Sequence, residues 1–378
     1  MAKKIIRKII FIIGIIVLGG LGGIIMDRYL FPYLSTMSFF SNIGFLKKST
    51  EDVTVINRTE QVTVKEETSM ANIASKATSS VVNIIVLPGN SQPKNTAVEN
   101  ITGEIVTSDG LIMTYAPNLT ANSKYKVMLY DGNVYDANFI GVDAYSNLAF
   151  LKINASNLPV ISFGDSGSIT PGEKVIAIAN DSGSYLNAYD SGIMTAYLPT
   201  FNLGGAALSS SENLEGVYGV DFNFPSDYVG GPVVDFNGDT IGILGSVSTN
   251  NSNQYFVIPV DKAEAVMSKA MGNSLSSDPV LGIYFVPITK TFALANNINA
   301  DKGAMIYSSS GQQGLAIIYG SPAQKAGLKI NDIITAINGT QIDLNHSLPQ
   351  LLYSFKKGDK ITLTISRNGQ ETKVPVQL

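Results

Sequence analysis

From Val81 onward the chain is a succession of apolar runs too short for helices, each closed by a turn-forming cluster. The runs are VVNIIV (81–86), EIVTS (104–108), LIMTYA (111–116), KVMLYD (126–131), LAFLKI (148–153), KVIAIAN (174–180), VVDF (233–236) and TIGILGSV (240–247). Between them stand SDG at 108–110, YDG at 130–132 and FNG at 236–238. Gly, Asp and Asn adopt the turn conformations that branched residues avoid. Many short strands at regular spacing bury their apolar faces only by closing into a sandwich or barrel. The fold class is therefore mainly β. One amphipathic helix, DKAEAVMSKAM (261–271), with Ala263, Val266, Met267 and Ala270 on one face, closes this unit. A short helix over Ser69 to Ala77, with Ser69 as N-cap, is expected to precede it.

After GNSLSSDP (272–279) a smaller β unit begins. Its expected strands are LGIYFVPI (281–288), GLAIIYG (314–320), IITAING (333–339), KITLTISRNG (360–369) and KVPVQL (373–378). SPAQKAGL (321–328) reads as a helical turn, with Pro322 at its start and Gly327 at its end. A second helix lies near Leu348–Tyr353. Residues 303–314, GAMIYSSSGQQG, read as an inserted hairpin.

The N-terminus differs from all of this. Ile9 to Met26 is 18 residues without a charge. At about 1.5 Å per residue such a helix nearly crosses a hydrocarbon core of roughly 30 Å. Lys3, Lys4, Arg7 and Lys8 precede it, so residues 1–8 are expected in the cytoplasm and the bulk of the chain outside the cell membrane. Tyr29, Phe31 and Tyr33 suit an interfacial aromatic belt. A cleaved signal peptide is the rival reading, but no A-x-A-like site follows the run. Gly19 and Gly23 form a GxxxG pair, which either packs helices or is ordinary filler. Residues 27–68 read as a stalk, with one alternating β segment at Val53–Val64.

Composition excludes several chemistries. The chain has one histidine and no cysteine, which removes thiol nucleophiles, disulfides, cysteine zinc sites and polyhistidine metal sites. No cofactor and no metal is expected. Residues 1–48 hold seven Lys and Arg against one acidic residue, leaving 19 basic and 29 acidic residues in the remainder. An acidic external part with no basic run argues against nucleic-acid binding.

Five segments carry a family resemblance. They are TSDGLIMT (107–114), VDAYSNLAFLKI (142–153), LPVISFGDSGSITPGEKVIAIAN (158–180), DFNFPSDYVGGPVVDFNGDTIGI (221–243) and GSPAQKAGLKINDIITAINGTQI (320–342). In order and content they resemble the HtrA (Do-like) membrane-anchored serine proteases over about residues 70–378. The resemblance implies a trypsin-like double β-barrel at 69–272 and a PDZ domain at 279–378, behind the transmembrane helix at 9–26. It also implies a homotrimer, or a mixed oligomer with an active relative.

The departures from the family pattern fall on the chemistry. Pro117 stands where the family has its catalytic histidine, Asn147 where it has the orienting aspartate, and Val229 where it has the nucleophilic serine. Proline offers no base, valine no nucleophile, and asparagine cannot stabilise an imidazolium as a carboxylate does. Asp227 replaces the glycine whose N–H helps to form the oxyanion hole, and a carboxylate there repels a developing oxyanion. Ser226 and Tyr228 are the candidate substitutes, yet 221–243 contains no lysine or histidine to activate either. A paired-carboxylate site at Asp221 and Asp227 is the other enzyme reading; loop acids more often serve turns.

The resemblance places the credible binding site in the PDZ domain. Val280-Leu281-Gly282-Ile283 matches the carboxylate-binding loop, with Ile283 and Phe285 lining the apolar pocket. Such domains add a peptide to a sheet edge and hold its terminal carboxylate with backbone N–H groups. The lone His346, just before the second helix, is either a ligand-reading residue or a helix-cap histidine. The expectation is a catalytically inactive, membrane-anchored pseudoprotease that binds exposed termini or segments of exported or misfolded proteins, or modulates an active relative. The alternatives are a serine endopeptidase using non-standard residues, and a structural spacer.

Overall fold

The computed structural model describes residues 2–30, 73, 76–87, 99–180, 186–203, 208–249, 252–275 and 278–378. It divides into two compact units, Met1–Val64 and Lys65–Leu378. In the first, α1 (Ala2–Ile25) runs for 24 residues and ends in a π-turn, Met26–Leu30. Its side chains from Phe11 to Met26 are exposed. Among the described residues no helix is long and apolar enough to cross a membrane. The side chains of Ile9 and Ile10, which begin the expected span, lie outside those residues. The Val53–Val64 segment and most of the stalk lie outside them too.

The second unit opens with an antiparallel closed barrel. Its strands are β1 (Val81–Leu87), β2 (Glu99–Ile105), β3 (Leu111–Tyr115), β4 (Lys124–Met128), β5 (Val134–Val142) and β6 (Leu148–Ile153), in the order β1-β2-β3-β6-β5-β4. Val82, Ile84, Ile105, Ile112, Val127 and Leu151 fill its interior. Closure removes the sheet edges that short strands would otherwise expose.

A second closed barrel follows. After β7 (Lys174–Asn180) and β8 (Asn187–Asn202), the chain forms a two-residue strand, β9 (Ser209–Ser210), that does not join this barrel. It then returns through β10 (Glu215–Val220), β11 (Pro232–Val234), β12 (Thr240–Thr249) and β13 (Ser252–Pro259), closing as β10-β13-β12-β11-β7-β8. Helix α2 (Val260–Met271) has Asp261 in its first turn and Lys269 in its last, both favourable to the helix dipole. Its Ala263, Val266 and Ala270 join a core shared with Met113 and Phe150 of the first barrel and Ile243 and Phe256 of the second. The barrels are thus welded by one apolar cluster. Residues 73 and 76–78 are helical, and Ile73 and Ala77 pack under the second barrel against Ile176 and Val234. The expected N-cap, Ser69, lies outside the described residues.

The smaller domain comprises β14 (Tyr284–Pro287), α3 (Lys290–Ala295), β15 (Ala304–Ile306), α4 (Gln313–Ala316), α5 (Pro322–Lys325), β16 (Ile333–Ile337), β17 (Thr340–Gln341), α6 (Leu348–Tyr353), β18 (Lys360–Arg367) and β19 (Gln370–Gln377). Its sheet runs β19-β18-β16-β15-β14-β9, with β17 paired to β16. Hydroxyl caps start α3, α5 and α6: Thr289, Ser321 and Ser347 accept from the backbone N–H groups of Phe292, Gln324 and Gln350. Two expectations are corrected. Residues 303–314 are not an inserted hairpin: β15 within them is an interior strand between β14 and β16, and its three residues are buried. Residues 314–320 are not a strand. They begin within α4 and keep only one β-bridge, Ile317 to Ile283.

Candidate functional site

The three positions expected to lack triad chemistry converge. Pro117, Asn147 and Val229 line one cavity of about 710 Å³ between the barrels, together with Tyr115, Ser226 and Asp227. Pro117 follows β3, whose end is pinned by Ala116 N–H donating to Asn147 O (3.3 Å). Asn147 sits at φ 61, a left-handed conformation that asparagine tolerates, in the turn before β6. Its amide donates to the Tyr115 hydroxyl (3.3 Å), which in turn donates to Ser246 O on β12 (2.9 Å). The Asn147 side chain is therefore spent on a bridge between barrels.

The turn before Val229 is held by its own hydrogen bonds. Pro225–Tyr228 form a 3₁₀ turn in which Asp227 N–H donates to Phe224 O (3.2 Å). That N–H, the expected oxyanion donor, is committed within its own loop. Ser226 Oγ donates to Asp227 Oδ1 (2.9 Å), and both residues are exposed. Among the described residues lining the cavity there is no Lys, Arg or His. Lys262, brought to the barrel by α2, donates to Glu215 O and Gly216 O (both 2.6 Å), and burial holds it down at about 8. It does not line this cavity. Gly230 and Gly231 are fixed by packing. A Cβ on Gly230 would lie 2.4 Å from Thr114 Oγ1, and one on Gly231 would lie 2.1 Å from Ile178 O.

Asp143 lies next to this site and is fully buried. Burial pushes its carboxyl up to about 6, against hydrogen bonds from Ser146 N–H, Ser146 Oγ and the Tyr353 hydroxyl. Tyr353 belongs to α6, so this carboxylate ties the barrel to the smaller domain. Among the described residues no group of three or more His, Cys, Asp or Glu is placed to hold a metal ion.

The second expected site lies where the loop Val280-Leu281-Gly282-Ile283 enters β14. Gly282 has φ +82, and a Cβ there would lie 2.3 Å from Ser321 Cβ, so only glycine fits. Val280 is exposed, whereas Leu281, Ile283 and Phe285 are buried in the domain core with Leu348 and Leu352. His346 is exposed; its Nδ1 lies 3.1 Å from Asp343 Oδ1 in the turn before α6. The loop's N–H groups are already engaged. Leu281 N–H (3.1 Å) and Gly282 N–H (2.8 Å) donate to Glu212 Oε1, and Ile283 N–H donates to Ser211 Oγ (3.0 Å). Glu212 and Ser211 lie about 70 residues upstream in a stretch that reads as a serine-rich turn, so no local pattern marks them.

Comparison with known proteins agrees with both halves. A trypsin-like peptidase domain profile matches residues 101–243, and a PDZ domain profile matches 279–378. A probable periplasmic serine endoprotease, DegP-like, of Hahella chejuensis is 30% identical over 279 residues, 73% of this chain and 56% of that protein. The corresponding protein of Chlamydia trachomatis is 28% identical over 278 residues, 73% of this chain and 53% of that protein. A putative serine protease, HhoB, of Synechocystis is 25% identical over 288 residues, 76% of this chain and 67% of that protein. The chain spans about half the length of the first two. The solved structure of the HtrA-type protease AlgW with a decapeptide superposes with a TM-score of 0.61 at 23% identity, covering 81% of this chain and 97% of that one.

Proposed function

From a trypsin-like double barrel followed by a PDZ domain, in a chain whose homologues are HtrA/DegP-like proteases, we propose a non-catalytic member of that group. Its PDZ domain binds exposed C-terminal or extended segments of exported proteins, or the chain modulates an active relative in a shared oligomer. The bulk of the chain works outside the cell membrane, and α1 anchors it there. The observation that carries this reading is the cleft. Pro117, Asn147 and Val229 line it with no basic side chain among the described residues, and the Asp227 N–H is turned away to Phe224. A serine without a base is a poor nucleophile at neutral pH. The cleft's shape remains available to an extended segment.

The test is digestion of casein by the purified full chain in detergent. No cleavage above buffer is expected, and Val229→Ala leaves that result unchanged. Cleavage by the wild type that Ser226→Ala abolishes would establish the serine endopeptidase alternative. Binding of C-terminal peptides separates the recognition role from a structural spacer.

A further inference from the structure

The loop that should receive a peptide's terminal carboxylate holds a carboxylate of this chain's own barrel. Strand pairing and carboxylate capture are both present. The two residues of β9 pair antiparallel with β14, Ser209 opposite Phe285 and Ser210 opposite Tyr284. Ser211 continues the strand: its N–H donates to Ile283 O (3.0 Å) and its Oγ accepts from Ile283 N–H (3.0 Å). Glu212 then bends its side chain into the loop, and Oε1 accepts from Leu281 N–H and Gly282 N–H. A terminal carboxylate takes the same two donors when a peptide adds as a strand to this edge.

The segment is braced for that role. Ser210 Oγ donates to Glu212 Oε2 (2.9 Å), and Ser211 Oγ lies 2.6 Å from Oε1. Ser209 Oγ donates to the buried Glu215 carboxyl. Further along the groove, Pro199 and Glu215 of the barrel face Phe285, Pro287 and Leu348, leaving about 10 Å³. That is less than a peptide side chain needs, and about the least that admits one water.

We propose that Ser209–Glu212 is a built-in ligand of the PDZ groove, so that a peptide with a free C-terminal carboxylate binds only by displacing Glu212 from Leu281 and Gly282. The inference rests on the peptide-binding reading of this domain and adds its regulation. A tethered ligand competes at high effective concentration, so apparent peptide affinity falls by the fraction of molecules with the groove open.

The test uses the full chain in detergent, as wild type, Glu212→Ala and Glu212→Asp. Residue-resolved hydrogen exchange reads Leu281, Gly282 and Ile283, with β18 and β19 as the folding control. Glu212→Ala should speed exchange at Leu281 and Gly282 by roughly tenfold or more, since each loses a charge-assisted acceptor, with Glu212→Asp between. If Glu212→Ala also loosens β18 and β19, Glu212→Asp decides. A second measurement titrates fluorescein-labelled decapeptides, randomised at their last four residues, with free or amidated C-termini. Glu212→Ala should bind the free-acid pool about tenfold more tightly than wild type and the amidated pool no better. Unchanged exchange overturns the built-in ligand. Equal peptide affinity in wild type and Glu212→Ala overturns it too and leaves the peptide-binding function standing. Faster exchange with no peptide bound by any variant keeps the built-in ligand and overturns that function.

Discussion

Glu104 lies on β2 opposite Val81 and Met113, fully buried, and neither carboxyl oxygen has a hydrogen-bond partner among the described residues. Burial alone pushes it up to about 8 from an ordinary 4.5. The folded chain therefore keeps a proton that the unfolded chain releases. The neutral acid's contribution to stability is complete below about pH 4.5 and is lost as pH rises through about 8. Glutamine has the same shape and no proton to lose. Glu104→Gln should leave stability at pH 4 nearly unchanged and raise it at pH 8 by up to roughly 4 kcal/mol. Thermal unfolding across that range reads the difference, and parallel curves for the two proteins would refute a titrating Glu104. Gly231 makes the opposite point, because its partner is backbone and cannot step aside. A methyl group 2.1 Å from Ile178 O has to move β7 or the turn. Gly231→Ala should cost about 3 kcal/mol in urea unfolding. The glycines that follow Val229 are thus explained by packing, with no chemistry required.

At the scale of elements, α6 joins the PDZ domain to the barrel. Its Tyr353 stacks on Tyr145 with ring centroids 4.1 Å apart, takes Lys269 Nζ 3.2 Å above its face, and donates its hydroxyl to Asp143 (2.9 Å). Tyr353→Ala should remove about 3 kcal/mol and expose the 272–280 connection to limited proteolysis. Tyr353→Phe should cost about 1 kcal/mol, the hydroxyl's share. Equal digestion of all three proteins would show that the helix does not hold the domains together. The bounds of α6, β6 and β7 were legible because each is a dense apolar run between clear stops. β5 was not, since alternate residues face solvent and polar side chains interrupt it; β8 failed for the same reason over 16 residues. The stretch 314–320 misled through Leu315, Ile317 and Ile318, whose branched character reads as strand while local hydrogen bonds wind its start into α4. Pro117, Asn147 and Val229, which motif order picks out along the chain, line one cavity. Glu212 was not legible, because its role depends on a sheet edge about 70 residues downstream.

For the whole molecule the question is what covers α1. Phe11, Ile16 and Leu18 are each at least 67% exposed, in a run of exposed aliphatic side chains from Phe11 to Ile25 broken only by glycines. Apolar surface of that extent is not left to water: it is taken up by lipid or by another protein. Lys3, Lys4, Arg7 and Lys8 ahead of it match the cytoplasmic flank of a membrane helix, and a central Ile or Leu favours insertion by about 0.3 to 0.6 kcal/mol. The full chain should therefore sediment with membranes and resist alkaline carbonate, while removal of residues 2–30 should release it to the soluble fraction with its barrel stability unchanged. Extraction of the full chain by carbonate would instead assign α1 to a protein partner. The two outcomes bear on the proposed function, because tethering to lipid would raise the effective concentration of membrane-bound partners at the PDZ domain. Under that proposal a groove weakened by its own Glu212 would meet segments of membrane-bound partners at far higher effective concentration than free peptide in solution. Under the proposed anchoring a self-occupied groove would favour ligands presented at the membrane over dilute peptide, and release of residues 2–30 should abolish capture of a membrane-tethered peptide while leaving its solution affinity unchanged.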